Sequence, residues 1–290
     1  MAALDRLVIE PGQRRRAVVG LIRSAQRHLV LSIFRCNDEA VLTALAAAVD
    51  RGVQVHSIVT NRPKASTADL DRLSRWLRDH GIAVRRHTSS MKYHAKYIVA
   101  DDATALVTSL NLTAKCFERT CDFLLFTKDS EVIAGLNAVF AADWAGGAAA
   151  LAPAQLERLI VGPGYAPRER FAALLLGARR RIRVLDAKLT DPFIRQLLES
   201  RRRAGVTVEI KRRKDLRPLA SHGRLLVVDD NVAVIGSFAL STAAFERRRE
   251  LAVVSHEPAV LRALDEFWRA HDRRLPCRDH DAARALEFRP

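Results

Sequence analysis

The stretch His94-Ala95-Lys96-Tyr97-Ile98-Val99-Ala100-Asp101 returns in altered form as His222-Gly223-Arg224-Leu225-Leu226-Val227-Val228-Asp229. Both follow the pattern His-x-[Lys/Arg]-x-x-x-x-Asp. The residues between the basic side chain and the aspartate are apolar, so each copy reads as a buried strand on which positions i and i+2 face the same way. His94 and Lys96 thereby share a face, as do His222 and Arg224. The aspartate has the opposite parity and falls at the strand's end, which predicts a turn role for Asp101 and Asp229 rather than chemistry.

Outward from this motif the whole chain repeats. Downstream the offset is 128 residues, carrying Phe117-Glu118-Arg119 onto Phe245-Glu246-Arg247, Asp122 onto Glu250 and Phe140 onto Trp268. Upstream it is 153 residues, carrying Asp38 onto Asp191 and Gly52-Val53-Gln54-Val55 onto Gly205-Val206-Thr207-Val208. Each half opens with a short strand and turn, Leu7 to Gly12 and Leu159 to Gly164, and alternates helical with strand patterns. Residues 65 to 88 supply an extra helix and strand in half one that half two lacks. The Ala/Gly/Pro-rich segment Ala145 to Pro153 is the junction, which places one domain at 1–150 and the other at 151–290. The expected fold is α/β: two homologous halves, each a β-sheet flanked by helices, packed with pseudo-twofold symmetry and a site where they meet.

A second strand follows each motif, Thr108-Ser109-Leu110-Asn111 and Gly236-Ser237-Phe238-Ala239. Ser109 and Asn111 beside His94 and Lys96 make a donor set suited to phosphate oxygens. Asp122 and Glu250 each precede an apolar strand, and a carboxylate returning to the site would hold a histidine Nδ1–H and fix its tautomer.

These residues resemble the phospholipase D superfamily, whose signature is HxKxxxxD followed by a GSxN-like segment and a downstream acid, usually present twice. The resemblance covers roughly residues 7 to 272. It implies a metal-independent phosphodiesterase working through a phosphohistidine, with His94 and His222 as nucleophile and acid/base pair. It further implies Lys96, Ser109, Asn111, Arg224 and Ser237 as phosphate ligands, and Asp122 and Glu250 as histidine orienters. No cofactor and no metal are expected. Half two departs from the pattern, with Arg224 for lysine and Ala239 for asparagine, while Thr108 replaces glycine in half one. Because the complete donor set surrounds His94, that residue is expected to be the nucleophile and His222 the general acid.

The chain has 290 residues, 48 Lys+Arg against 33 Asp+Glu, and a formal net charge of +15, which draws it toward polyanions. Nucleic acid is the first expected substrate, with the run Lys211-Arg212-Arg213-Lys214 lining the entrance. The alternatives are a phospholipase D or cardiolipin synthase-like phosphatidyl transferase on anionic phospholipids, with peripheral membrane contact, and a catalytically weak phosphate-binding module. No charge-free stretch approaches the ~20 apolar residues of a transmembrane segment. Asp5, Arg6 and Glu10 interrupt any secretory h-region, and four cysteines without a C-x-x-C pair argue for reduced thiols. A cytoplasmic monomer with an internal pseudo-dimer is the expected form. The seven remaining histidines lack the repeated frame and read as surface or satisfied groups. Phe140, Trp144, Phe267 and Trp268 recur at helical spacing and read as core.

Overall fold

The computed structural model describes residues 4–60, 67–87, 91–211 and 213–272. Half one begins β1 (Asp5–Val8), α1 (Pro11–Ser24), β2 (His28–Ile33), α2 (Glu39–Asp50), β3 (Gln54–Val59), α3 (Thr67–Asp79) and β4 (Ala83–Arg86). It continues through β5 (Lys92–Tyr93), β6 (Tyr97–Ala100), β7 (Thr104–Thr108), α4 (Ala114–Glu118), β8 (Thr120–Cys121), β9 (Leu124–Thr127) and α5 (Ser130–Ala145). Half two begins α6 (Pro153–Arg158), β10 (Leu159–Val161), α7 (Tyr165–Gly177), β11 (Arg181–Asp186), α8 (Pro192–Arg203) and β12 (Thr207–Lys211). It closes with β13 (Ala220–Ser221), β14 (Arg224–Val228), β15 (Val232–Gly236), α9 (Thr242–Arg247), β16 (Arg248–Arg249), β17 (Leu251–Ser255) and α10 (Pro258–Asp272).

The main sheets have matching orders, β1-β9-β7-β6-β2-β3-β4 in half one and β10-β17-β15-β14-β11-β12 in half two. The unmatched edge strand β4, with α3, is the extra unit expected between residues 65 and 88. Period-two alternation explains how two sheets share one centre. On β6, Ile98 and Ala100 enter the outer core of half one, while Tyr97 and Val99 enter the central core. On β14, Leu226 and Val228 face the outer core of half two, while Leu225 and Val227 meet the same central core. Strands buried on both faces carry no polar alternation, hence the continuous apolar runs. Trp268 and Phe140 lie in this centre, so the aromatic residues of the closing helices are packing groups.

The repeated helix signals act as caps. The Asp38 and Asp191 side chains accept from Val41 N and Ile194 N at the starts of α2 and α8. Asp101 and Asp229 adopt left-handed conformations with φ of 54° and 53°. The Asp101 carboxylate accepts from the backbone nitrogens of Gln26, Arg27 and His28. Asp229 does the same for Arg179, Arg180 and Arg181. The motif's aspartates therefore staple the turn before β2 and β11, away from the chemistry.

Candidate active site

Two short cross-half pairings build the site. β5 runs parallel to β16, and β13 runs parallel to β8. Each joins the segment just before a motif histidine to the segment just before the other half's acid. His94 N donates to Arg249 O at 2.9 Å, and Gly223 N donates to Cys121 O at 2.6 Å. The second approach is so close that a Cβ at position 223 would lie 2.8 Å from Cys121 O and from the Phe123 ring, which accounts for glycine where half one has Ala95. The acids are delivered crosswise: His94 Nδ1 meets Glu250 Oε2 at 2.9 Å, and His222 Nδ1 meets Asp122 Oδ1 at 2.7 Å.

Both acids are fully buried. Burial alone would raise their pKa values, but His222, Thr120 and Ser109 hold Asp122 below the usual carboxylate range. His94 and Lys96, with a smaller contribution from Ser237, do the same for Glu250. Burial, reinforced by Lys96 and Arg224 and opposed by Glu250, pushes His94 down to about 3. The ring is thus neutral at ordinary pH. With Nδ1–H donated to Glu250, Nε2 keeps its lone pair for a nucleophile's work.

Lys96 is buried, with Nζ 3.2 Å from both ring nitrogens of His94 and donating to His94 O at 2.9 Å. Burial lowers its pKa to about 7. Asn111 Nδ2 lies 3.2 Å from His222 Nε2, while its buried Oδ1 has no hydrogen-bond partner. A neutral His222 accepts from that amide. A protonated His222 calls for the amide turned by half a rotation, which presents the otherwise unmatched Oδ1 to Nε2–H. Asn111 can therefore serve either protonation state.

The structure revises several expected roles. His94 and Lys96 precede β6 rather than lying within it, so strand parity is not what brings them together; the cross-half pairing and the Lys96 bond to His94 O are. Ser109 donates to Asp122 Oδ1 at 2.7 Å and accepts from Phe123 N, so it supports the orienting acid rather than facing an open phosphate site. Ser237 turns likewise to the backbone of Leu251, next to Glu250. Both serines lie just past a strand end, where the hydroxyl is captured by residues at the start of the neighbouring strand, Leu251 for Ser237, or just before it, Asp122 and Phe123 for Ser109. Thr108 in the glycine position bonds Phe123 O at 2.9 Å.

Arg224 is also redirected. Its Nη1 donates to His222 O and Gly223 O at 2.6 and 2.8 Å. Its Nε sits 3.1 Å from Asp186 Oδ1, an ion-pair contact outside hydrogen-bond geometry. None of the described contacts engages Nη2. Asp186, missed in the sequence reading, is opposite Arg224 in the β11–β14 register. The available signal was paired novelty: an acid directly after the apolar pair Val184-Leu185 at the end of β11, and arginine replacing lysine. Ala239 is buried and contributes only packing.

Of the basic run, Lys211 is turned away from the expected entrance. Lys211 ends β12 buried, ion-paired with Asp272 on α10 and 4.6 Å from the Trp268 ring centroid. Arg212 lies outside the described residues, as do the side chains of Arg213 and Lys214. A second residue missed by the sequence reading is Arg14, fully buried on α1. It donates to Thr120 O at 2.5 Å and Cys116 O at 3.1 Å, and the Thr120 hydroxyl in turn bonds Asp122. Cys116, Asp122 and His222 offer ligand atoms within 4.8 Å of one another. The Asp122 carboxylate is already shared by Ser109, Thr120 and His222, so a cation there would displace the bond that orients His222.

A doubled sheet-and-helix fold that brings two histidine–carboxylate pairs to one interface defines the phospholipase D class. Residues 18–144 and again 157–271 match the model of the cardiolipin synthase, PLD-like domain family, and the chain belongs to that family. The mitochondrial cardiolipin hydrolase of Xenopus laevis is 31% identical over 120 residues, 41% of this chain and 56% of that protein. Its Xenopus tropicalis counterpart is 30% identical over 124 residues, 43% and 58% respectively. The chain thus spans a little over half the length of these curated relatives. The polyphosphate kinase of Porphyromonas gingivalis shares the fold with a TM-score of 0.76 at 19% identity, over 93% of this chain and 47% of that one. The phosphatidylserine synthase of Haemophilus influenzae Rd KW20 shares it with a TM-score of 0.75 at 14% identity, over 94% and 87%.

Proposed function

We propose that this protein transfers phosphodiesters through a phosphohistidine on His94, with phospholipid as the substrate class. The crosswise pairing of each motif histidine with the other half's buried acid carries this reading. Nε2 of neutral His94 attacks phosphorus, and the bond to the leaving oxygen breaks as His222 Nε2 delivers its proton there. A P–N bond now joins the retained half to His94. His222, left neutral, takes a proton from an incoming water or alcohol, whose oxygen attacks phosphorus and expels His94. Lys96 stabilises the charge on the phosphoryl oxygens. Asp122 and Glu250 fix the tautomers and stabilise the imidazolium that forms on each ring in turn.

The lipid assignment is supported by the family, by the cardiolipin-hydrolase relatives and by the loss of Lys211 from any open basic groove. The +15 charge favours a second reading, cleavage of nucleic acid. The deciding experiment incubates the protein with radiolabelled phosphatidylglycerol or cardiolipin, and separately with labelled oligonucleotide, in chelator. Acid-labile, alkali-stable label on the protein and release or exchange of the lipid headgroup are expected. Cleavage of the oligonucleotide without lipid turnover would shift the assignment to nucleic acid.

A further inference from the structure

An open cleft of about 570 Å³ lies in half one between the β2–α2 connection, α3 and the start of α4. This is the size of a ligand pocket. Its apolar wall includes Phe34, Leu42, Leu70, Leu73 and Trp76. Leu70, Leu73 and Trp76 sit on α3, part of the extra unit without a counterpart in half two. The cleft therefore belongs to one half only.

Phe34 is common to the cleft and the chemistry. It lines the cleft, and its ring meets the His94 imidazole edge-on with centroids 4.6 Å apart. Three cations surround the same ring: Lys96 Nζ at 5.1 Å, Lys92 Nζ at 5.4 Å and Arg35 Cζ at 5.5 Å from its centroid. Arg35 also lines the cleft, and its buried Nε has no hydrogen-bond partner. Apolar wall, cationic rim and nucleophile follow one another in order, matching an alkyl chain joined to a phosphoryl group. Among the described contacts, His94 touches a lining residue and His222 touches none.

We propose that this cleft holds the hydrocarbon chain of the half of the diester that stays on His94, and not that of the departing alcohol. The inference rests on the phosphohistidine reading above and assigns direction within it. In an in-line displacement the leaving oxygen lies opposite His94, toward His222, whereas the retained ester oxygen is equatorial and its substituent departs sideways past Phe34. The one-sided cleft then anchors the covalent intermediate while the His222 side exchanges one alcohol for another.

Alkyl p-nitrophenyl phosphates separate the two halves, since nitrophenolate always leaves and the alkyl group always stays. With methyl through octyl esters, kcat/KM should rise up to about fourfold per methylene until the cleft is full. Leu42→Trp, which narrows the cleft, should lower the octyl-to-methyl ratio at least tenfold. The wild-type series tests the proposal even should that variant fail to fold. Turnover with a flat chain-length series would overturn the cleft assignment while leaving the phosphohistidine reading intact. A flat series in which a single-stranded oligonucleotide competes with the octyl ester would give the cleft to a nucleotide. Absence of both turnover and phosphohistidine with every ester would overturn both.

Discussion

Glu250 Oε2 accepts the Nδ1 proton of His94 across 156 residues of sequence and from the opposite half of the molecule. Glu250→Gln keeps the size of this side chain, but its amide can donate where the carboxylate only accepts. The imidazole is then pressed toward the tautomer with hydrogen on Nε2, which cannot attack. A fall in kcat of about 10²- to 10⁴-fold is expected in steady-state turnover of a phosphodiester. Retention of wild-type kcat would remove Glu250 from the mechanism.

His94→Ala should abolish the phosphohistidine altogether. His222→Ala should still give a burst of p-nitrophenolate, because that leaving group needs no proton, yet turn over alkyl leaving groups poorly. Rapid-quench kinetics on both variants with both substrates reads the difference. The reverse pattern would exchange the roles of the two histidines.

The pH response follows from Lys96 and His94. The Lys96 ammonium is lost as pH rises through about 7 in the empty site, so kcat/KM should fall above that value. His94 titrates near 3 and contributes no acid limb in the working range. With a p-nitrophenyl diester, whose leaving group needs no proton from His222, Lys96→Arg keeps its charge and should move the alkaline limb out of reach, whatever it does to the maximum rate. A limb unchanged in this variant would assign it to another group. The folded values of Asp122 and Glu250 lie below their unfolded ones, so each contributes stability that is present above about pH 4 and lost as pH falls further. Asp122→Asn should flatten acid unfolding measured by circular dichroism.

Arg224→Ala leaves Asp186 buried without its partner, and burial already raises that carboxyl against the pull of Arg224. A loss of about 3–5 kcal/mol in urea unfolding is expected, part of it recovered by adding Asp186→Asn. Unchanged stability with a raised KM would instead identify Arg224 as a phosphate ligand.

The fold was readable because its signals are local and doubled. Asp38 and Asp191 cap helices, Asp101 and Asp229 staple turns, and the offset of 128 residues placed Asp122 and Glu250 before their strands. The site was readable in membership but less so in wiring. β5, β8, β13 and β16 are two residues each, too short for any periodicity, yet they decide that each acid serves the opposite histidine. Strand parity grouped Ser109 with Asn111, but both lie past the end of β7, where one side chain turns to Asp122 and the other to His222. Lys211 read as solvent-facing because the residues after it, Arg212-Arg213-Lys214, are basic; its partner Asp272 is 61 residues away on the last helix.

The crosswise wiring also governs when the protein becomes reactive. During synthesis, His94 leaves the ribosome long before Glu250 exists, and His222 finds Asp122 only once the second sheet has docked on the first. An incomplete chain thus carries a histidine with no fixed tautomer. Parting the two halves by the reach of one hydrogen bond disarms both rings together, and closure rearms both, so chemical competence doubles as a proofreading of assembly.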